Sequence, residues 1–345
     1  MNIVKSGHFN MEASQATVLG SDEIHTTATT YGTIIGTGVL SLLVCGLRLF
    51  TRAFVSRAFS IDDWACLIAL AFTTAFSGLG IAATRNGAGL HITHVSNSQL
   101  ALWFKFYYAC TALSLINAAL VKTSLLLSLR RLFPRTYIQR YHLPVIIITF
   151  MATFTVPFVF LDVFQCNPPA YIYDLKYVMA ADSAQHCFPA TTVYAIFLTQ
   201  AVVTFTIDII LLILPIPVIL GLQKTRGKWT LAGLIFVPAT VACIAPIFRF
   251  STLEFLRNQD SDITYHSASA LYWQCIEYNL GMISGSLGLL KPLLRYVGWV
   301  KLENSNEHKV PSYLLVDKIY ARPKQARSTI RIQGDSVLRT NLDID

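Results

Sequence analysis

The chain has 345 residues, of which 54% are hydrophobic and only 13% are Asp, Glu, Lys or Arg. Soluble domains carry roughly 25% charged residues, so this chain has too few to cover a water-facing surface, and it is too apolar to be disordered along most of its length. The formal net charge is +8, and its distribution along the chain carries more information than its size.

Residues 1–27 are polar, rich in Ser, Thr, Glu, Asp and His. No basic stretch leads into a short apolar core there. A cleavable signal peptide is therefore not expected, and the first apolar block itself serves as the targeting signal. From residue 28 onward the apolar residues arrive in blocks of about 20 or more, the length that crosses roughly 30 Å of hydrocarbon as a helix. The expected spans are 28–50, 62–83, 101–128, 143–164, 190–220, 230–253 and 270–292. Each block is continuously apolar, whereas a barrel strand alternates at period two, so helices are preferred. The fold class expected is an all-α membrane protein, a seven-transmembrane helix bundle over 28–298. A flexible polar tail follows over 299–345, where basic and acidic residues alternate without a sustained apolar face.

Orientation follows from the Lys and Arg residues outside the spans. Twenty lie on one side, including Arg48, Arg52, Arg57, Arg130, Arg131, Arg135, Arg140, Lys224, Arg226, Lys228 and those from Lys291 onward. Five lie on the other: Lys5, Arg85, Lys105, Lys176 and Arg257. The basic side is expected to be cytoplasmic, with the N-terminus outside or lumenal and the C-terminus cytoplasmic. This asymmetry favours contact with anionic lipid of the inner leaflet. It leaves no basic face for nucleic acid.

Cys45, Cys66, Cys110, Cys243 and Cys275 fall within spans and read as small packing residues. Cys166 and Cys187 stand at the two ends of the outer loop between spans four and five, on the oxidising side, where a disulfide is expected. His91 and His94 follow Gly87-Ala88-Gly89 and read as ordinary loop histidines. No metal site and no cofactor is expected, because no further Cys or His pair stands at ligand spacing.

The strongest functional signal is the set of ionisable residues inside the spans. Such residues are costly in hydrocarbon and usually face the bundle interior in pairs. Depth is set by the helix rise of about 1.5 Å per residue. On that scale Lys122 and Asp208 meet in the inner half, with Asp62 and Asp63 as alternative partners for Lys122. Arg249 and Glu277 are expected to meet in the outer half, with Tyr107, Tyr108, Tyr272 and Trp273 at similar depth. The candidate ligand pocket is therefore Arg249, Glu277, Tyr107, Tyr108, Tyr272, Trp273, Lys122 and Asp208. Glu277 is the candidate catalytic residue, since burial suits a carboxylate to proton transfer. Bundle locks that orient the helices are the other reading of the same charges, and an interfacial aromatic belt the other reading of the rings. The chain has no GxSxG, HExxH, P-loop or GxGxxG motif, and no lysine near the centre of span seven to carry a retinal.

Several residues in order resemble one family. Arg48 and Arg52 precede Ser60-Ile61-Asp62-Asp63-Trp64, and Gly87-x-Gly89-x-His91 follows span two. Lys122-x-Ser124 leads to Arg130-Arg131-Leu132-Phe133, and the outer loop carries Phe164-x-Cys166-x-Pro168 and Cys187. Asp208 is followed by Leu214-Pro215-Ile216-Pro217, then Arg249, Glu277-x-x-Leu280-Gly281 and Lys291-Pro292-Leu293. This set resembles the fungal rhodopsin-like seven-helix membrane domain over about residues 30–298. That family includes a membrane protein of the satratoxin cluster and receptor-like proteins linked to pathogenesis. Tyr171 and Tyr173 stand where the family often has Trp after Cys-x-Pro. Some receptor-like members also carry a cysteine-rich outer domain ahead of span one, which 26 polar residues without cysteine do not supply.

The resemblance implies a fungal multi-pass membrane protein of the endoplasmic reticulum or plasma membrane. It implies a role in a secondary-metabolite pathway, as an accessory protein or a membrane enzyme handling an apolar small molecule. The other implied role is a G-protein-coupled-receptor-like sensor of surface or metabolite cues. Partners would then be pathway enzymes in the first case and a G protein in the second.

Overall fold

The structure is a computed structural model that describes residues 3–57, 59–132, 142–178, 183–216, 233, 236–248, 250 and 262–290. The chain divides into two units, 1–301 and 302–345, and the second lies outside the described residues. Among the described residues the chain is helical, with no strand beyond an isolated bridge between Cys166 and Cys187.

Helix α1 runs from Ile3 to Phe50 and continues as a π-helical turn over Thr51–Val55. It therefore begins inside the polar segment read as a tail; no proline interrupts the first 27 residues, so the helix has nothing to break it there. Helix α2 spans Ile61–Arg85 and α3 spans Asn97–Leu132. Helix α4 spans Leu143–Val163, with Pro144 in its first turn, where a missing N–H costs nothing. Three single-turn helices, α5 (Ala170–Tyr173), α6 (Leu175–Val178) and α7 (Ser183–His186), fill the loop that follows. Helix α8 spans Ala190–Ile213, α9 spans Phe236–Phe248 and α10 spans Ile263–Leu287.

Five of these helices are long and apolar enough to cross a membrane, over 22–55, 61–85, 97–131, 143–163 and 190–213. The sixth expected span is described mainly through the shorter apolar α9, and the seventh through the more polar α10. The exposure pattern is inside-out relative to a soluble protein. Ile61, Phe54, Leu43 and Val237 are exposed, whereas Asp63, Asn117 and Ser286 are fully buried. An apolar exterior around a polar interior is what a hydrocarbon solvent selects.

α1, α2, α3 and α10 pack into one core built on Ile34, Phe76, Trp103, Leu271 and Tyr278. A second core, with Leu126, Met151, Ile207 and Leu211, joins α3 to α4 and α8. α3 and α10 approach closely at Gly281, where an added Cβ would come within 2.9 Å of Val121 Cγ1.

The two ends of the bundle are built differently. At one end the loop after α2 ties α1 to α10. Gly89 has φ of +96°, a conformation that favours glycine, and its N–H donates to the Thr264 carbonyl at 3.0 Å. Asp262 accepts a hydrogen bond from His91 Nδ1 at 3.0 Å, and His91 stacks on Tyr265 with centroids 4.6 Å apart. The buried Glu23 accepts the His91 backbone N–H at 2.7 Å and His94 Nδ1 at 3.0 Å. At the same end Cys166 and Cys187 form a disulfide, flanked by hydrogen bonds from Asn167 N to His186 O and from Phe188 N to Gln165 O. The opposite end is held by charge. Arg48 Nη2 lies 3.2 Å from Asp62 Oδ2 and 3.4 Å from Asp63 Oδ1. Arg131 Nη1 lies 2.7 Å from Asp62 Oδ1 and 3.3 Å from Asp63 Oδ2.

Candidate functional site

The site forms where α3, α8, α9 and α10 converge. Lys122 of α3 is buried and reaches α8, where its Nζ donates to the Thr204 carbonyl at 3.1 Å and to Asp208 Oδ2 at 3.0 Å. Thr204 and Asp208 are four residues apart, so they lie on one face of α8 and meet the ammonium together. The Thr204 hydroxyl donates back to the Gln200 carbonyl at 2.7 Å. Glu277 of α10 approaches from the third side, with Oε1 3.8 Å from Lys122 Nζ. One ammonium is thus shared by two carboxylates from two helices. Cys243 of α9 donates its thiol to the Asp208 carbonyl at 3.5 Å, which sets α9 at the same level.

Lys122, Asp208, Cys243 and Glu277 line a cavity of about 80 Å³. By a comparable measure a single water needs ~10–15 Å³, so the cavity has room for several waters or part of an organic ligand. Its remaining wall is largely apolar: Ala118, Val121, Leu125 and Leu129 of α3, Leu211 and Leu212 of α8, and Phe236 and Ala239 facing them. Tyr278 closes the side nearest the disulfide end. Its hydroxyl donates to the Ser114 carbonyl at 3.0 Å, and its ring meets Phe76 edge-on at 5.2 Å.

Lys122 takes Asp208 of its two candidate partners. Asp62 and Asp63 instead face Arg48 and Arg131 at the bundle end. Glu277 lies deeper than its place in span seven suggested. α10 starts at Ile263, seven residues before the expected boundary, so Glu277 is about 21 Å from the helix start. That extra length brings it level with Lys122. The expected pairing of Glu277 with Arg249 rests on a residue outside the described ones.

The aromatic candidates lie elsewhere. Tyr107 stacks on Trp103 at 5.0 Å, and the Tyr108 hydroxyl donates to the Val163 carbonyl at 3.0 Å. Both are more than about 20 Å along α3 from Lys122. Trp273 is one turn before Glu277 on the same face of α10, where it stacks on Phe248 at 4.3 Å, and Tyr272 is tilted against it at 5.5 Å. None of these four lines the cavity.

Several buried polar contacts escaped the sequence reading. Arg48, Asp62, Asp63 and Arg131 stand in the motif set, and Asp62 and Asp63 among the candidate partners of Lys122, but the pairing of these four with one another is set by the fold. Asp162 of α4, 2% exposed, accepts a hydrogen bond from Gln200 of α8 at 2.8 Å. Thr73 of α2 donates to Asn117 of α3 at 3.0 Å. Polar residues in apolar runs were the available signal for these, but their partners come from other helices and have no fixed sequence spacing. Among the described residues no group of three or more His, Cys, Asp or Glu side chains is placed to hold a metal ion.

The model of the fungal rhodopsin domain matches residues 47–296. The chain belongs to the fungal rhodopsin domain family. The match covers every helix that builds the Lys122 cavity and begins just before the Arg48 cluster. Two relatives of this fungal rhodopsin domain protein carry descriptions of their own. One is the polyenoic acids biosynthesis gene cluster protein Ba17b of Metarhizium anisopliae, 23% identical over 75% of this chain and 71% of its own. Another is the phomoidride biosynthesis cluster protein H of a fungal species (strain ATCC 74256), 24% identical over 79% of this chain and 90% of its own. No solved structure matches the chain.

Proposed function

We propose that this fungal rhodopsin domain protein acts in a secondary-metabolite pathway, where it handles an apolar small-molecule intermediate within the membrane. The observation that carries the reading is the cavity between α3, α8, α9 and α10, apolar in its walls and charged at one point. Such a site binds an apolar body and orients it through a few polar groups. The two relatives named for biosynthetic clusters support the pathway. In this reading Lys122 and Asp208 are the fixed elements, locked to each other and to α8. Glu277, farther from the ammonium, is the group that exchanges a proton with the ligand if chemistry occurs. The protein has seven crossings, an outer N-terminus and a cytoplasmic C-terminus, as the basic-residue count favours. The endoplasmic reticulum is the favoured membrane.

Metabolite profiling of a deletion strain under producing conditions tests this. Loss of a product or accumulation of a precursor is the expected result. An unchanged profile accompanied by altered development would reject it in favour of a receptor. Glu277→Gln then separates chemistry from carriage. It keeps side-chain size and most hydrogen bonding while removing the titratable group. If the protein is an enzyme that uses this proton, a folded Gln variant accumulates the same precursor as the deletion. For a carrier or scaffold, output stays near the wild-type level.

A further inference from the structure

The cavity has a direction. The three charged side chains, Lys122, Asp208 and Glu277, stand at one level, and the apolar wall extends farther toward one end than the other, where it reaches only Ala118 on α3. On α3 the wall is Leu125 and Leu129, three and seven residues after Lys122. On α8 it is Leu211 and Leu212, three and four residues after Asp208, with Pro215 just past the helix end. On α10 it is Gly281 and Ser284, four and seven residues after Glu277. α9 contributes Phe236, seven residues before Cys243. The displacements on α3, α9 and α10 reach about 10 Å at the helical rise. On α3 and α10 they point to the end where Arg48 and Arg131 meet Asp62 and Asp63, because Arg131 follows Leu129 and Arg48 Nη1 donates to the Gly285 carbonyl at 3.4 Å.

The other direction is filled. Above the charged level Tyr278 bonds to Ser114 and packs on Phe76, and Cys110, Leu271 and Cys275 are buried beyond it. Toward the Arg48 end a further space lies beside the cavity. A second, smaller cavity of about 30 Å³ shares Leu125, Leu129 and Ser284 with the first and adds Ser128, Gly285 and Gly288. Gly285 keeps that chamber open between α3 and α10.

We infer that the ligand is a slender amphiphile with a single terminal polar group, bound with that group at Lys122, Asp208 and Glu277 and its apolar chain running toward the Arg48–Arg131 end past Gly285. This rests on the reading of the cavity as a small-molecule site and adds the ligand's class and orientation. The polar end is held deep and the chain follows the open direction. An extended chain follows the line of these two adjacent spaces.

The test uses the full chain in lipid nanodiscs and a dodecanol analogue with a diazirine on its terminal carbon, photolysed and mapped by peptide mass spectrometry. Adducts on Leu129, Phe236, Ser284 or Gly285, competed away by unlabelled dodecanol, are expected. Adducts at Ser114 or farther toward Cys110 would place the chain toward the disulfide end; they would overturn the orientation while leaving the cavity as a ligand site. Absence of any competed adduct within the cavity would overturn both. A second measurement addresses length. An added Cβ at Gly285 stands in ordinary contact, 3.6 Å from Leu125 Cα, so Gly285→Ala narrows the chamber from a position that accepts a methyl group. It is expected to reduce labelling by the dodecanol probe several-fold and leave a hexanol analogue unaffected. Equal loss for both probes, or for neither, would overturn the assignment of the chain path.

Discussion

Lys122 shows how one side chain organises the interior. Its ammonium sits 3.0 Å from Asp208, 3.8 Å from Glu277 and 3.1 Å from the Thr204 carbonyl. Removing it leaves two carboxylates from different helices facing each other in an apolar bundle. Breaking a buried ion pair from one side costs about 3–5 kcal/mol. Lys122→Met is therefore expected to lower the thermal unfolding midpoint in detergent markedly. The triple variant Lys122→Met, Asp208→Leu, Glu277→Leu should recover most of that loss, since the ammonium and the two carboxylates that face it are removed together. If the single and triple variants unfold together, the charges are not coupled through Lys122. Depth along each helix was enough to join Lys122 to Asp208. Glu277 was misplaced because polar residues such as Thr264, Ser267 and Ser269 hid the first turns of its helix from a reading based on hydropathy.

At the scale of elements, the loop between α4 and α8 is the part most constrained by covalent structure. The Cys166–Cys187 bridge closes a separation of 21 residues, and two backbone hydrogen bonds lie beside it. Loops of this size gain about 3 kcal/mol from closure in the chain-entropy model. Cys166→Ser is expected to lower stability by about that amount, checked by thermal unfolding beside the reduced wild type, which should match it. Tyr171 and Tyr173, where the family often has Trp, keep aromatic packing. Tyr171 stacks on His186 at 4.7 Å, and Tyr173 meets Tyr108 at 5.3 Å. The bridge was legible in the sequence because both cysteines share one loop on one side. The stacking was not, since it depends on the turns of α5 and α7. The loop after α2 teaches the same lesson: His91 and His94 read as ordinary loop residues, yet with Glu23, Asp262 and Tyr265 they tie α1 to α10.

For the whole molecule, the asymmetry of twenty basic residues against five predicts which side each connection faces. A reporter inserted in 130–142 or 221–229 is expected to read cytoplasmic, and one at the N-terminus to read outside or lumenal. An outside signal at either internal position would overturn the orientation. The sequence by itself determined the solvent, the helical class and the spans that are long and apolar, because a bilayer imposes length and composition on every crossing segment. It also determined which residues had to find partners, since a charge in hydrocarbon cannot stay alone. Only the tertiary structure decided who those partners are. Arg48 and Arg131 share the two aspartates of α2, and Lys122 bridges α8 and α10. Those choices depend on where each helix starts and how closely α3 and α10 approach at Gly281, and residues far apart in the chain set both.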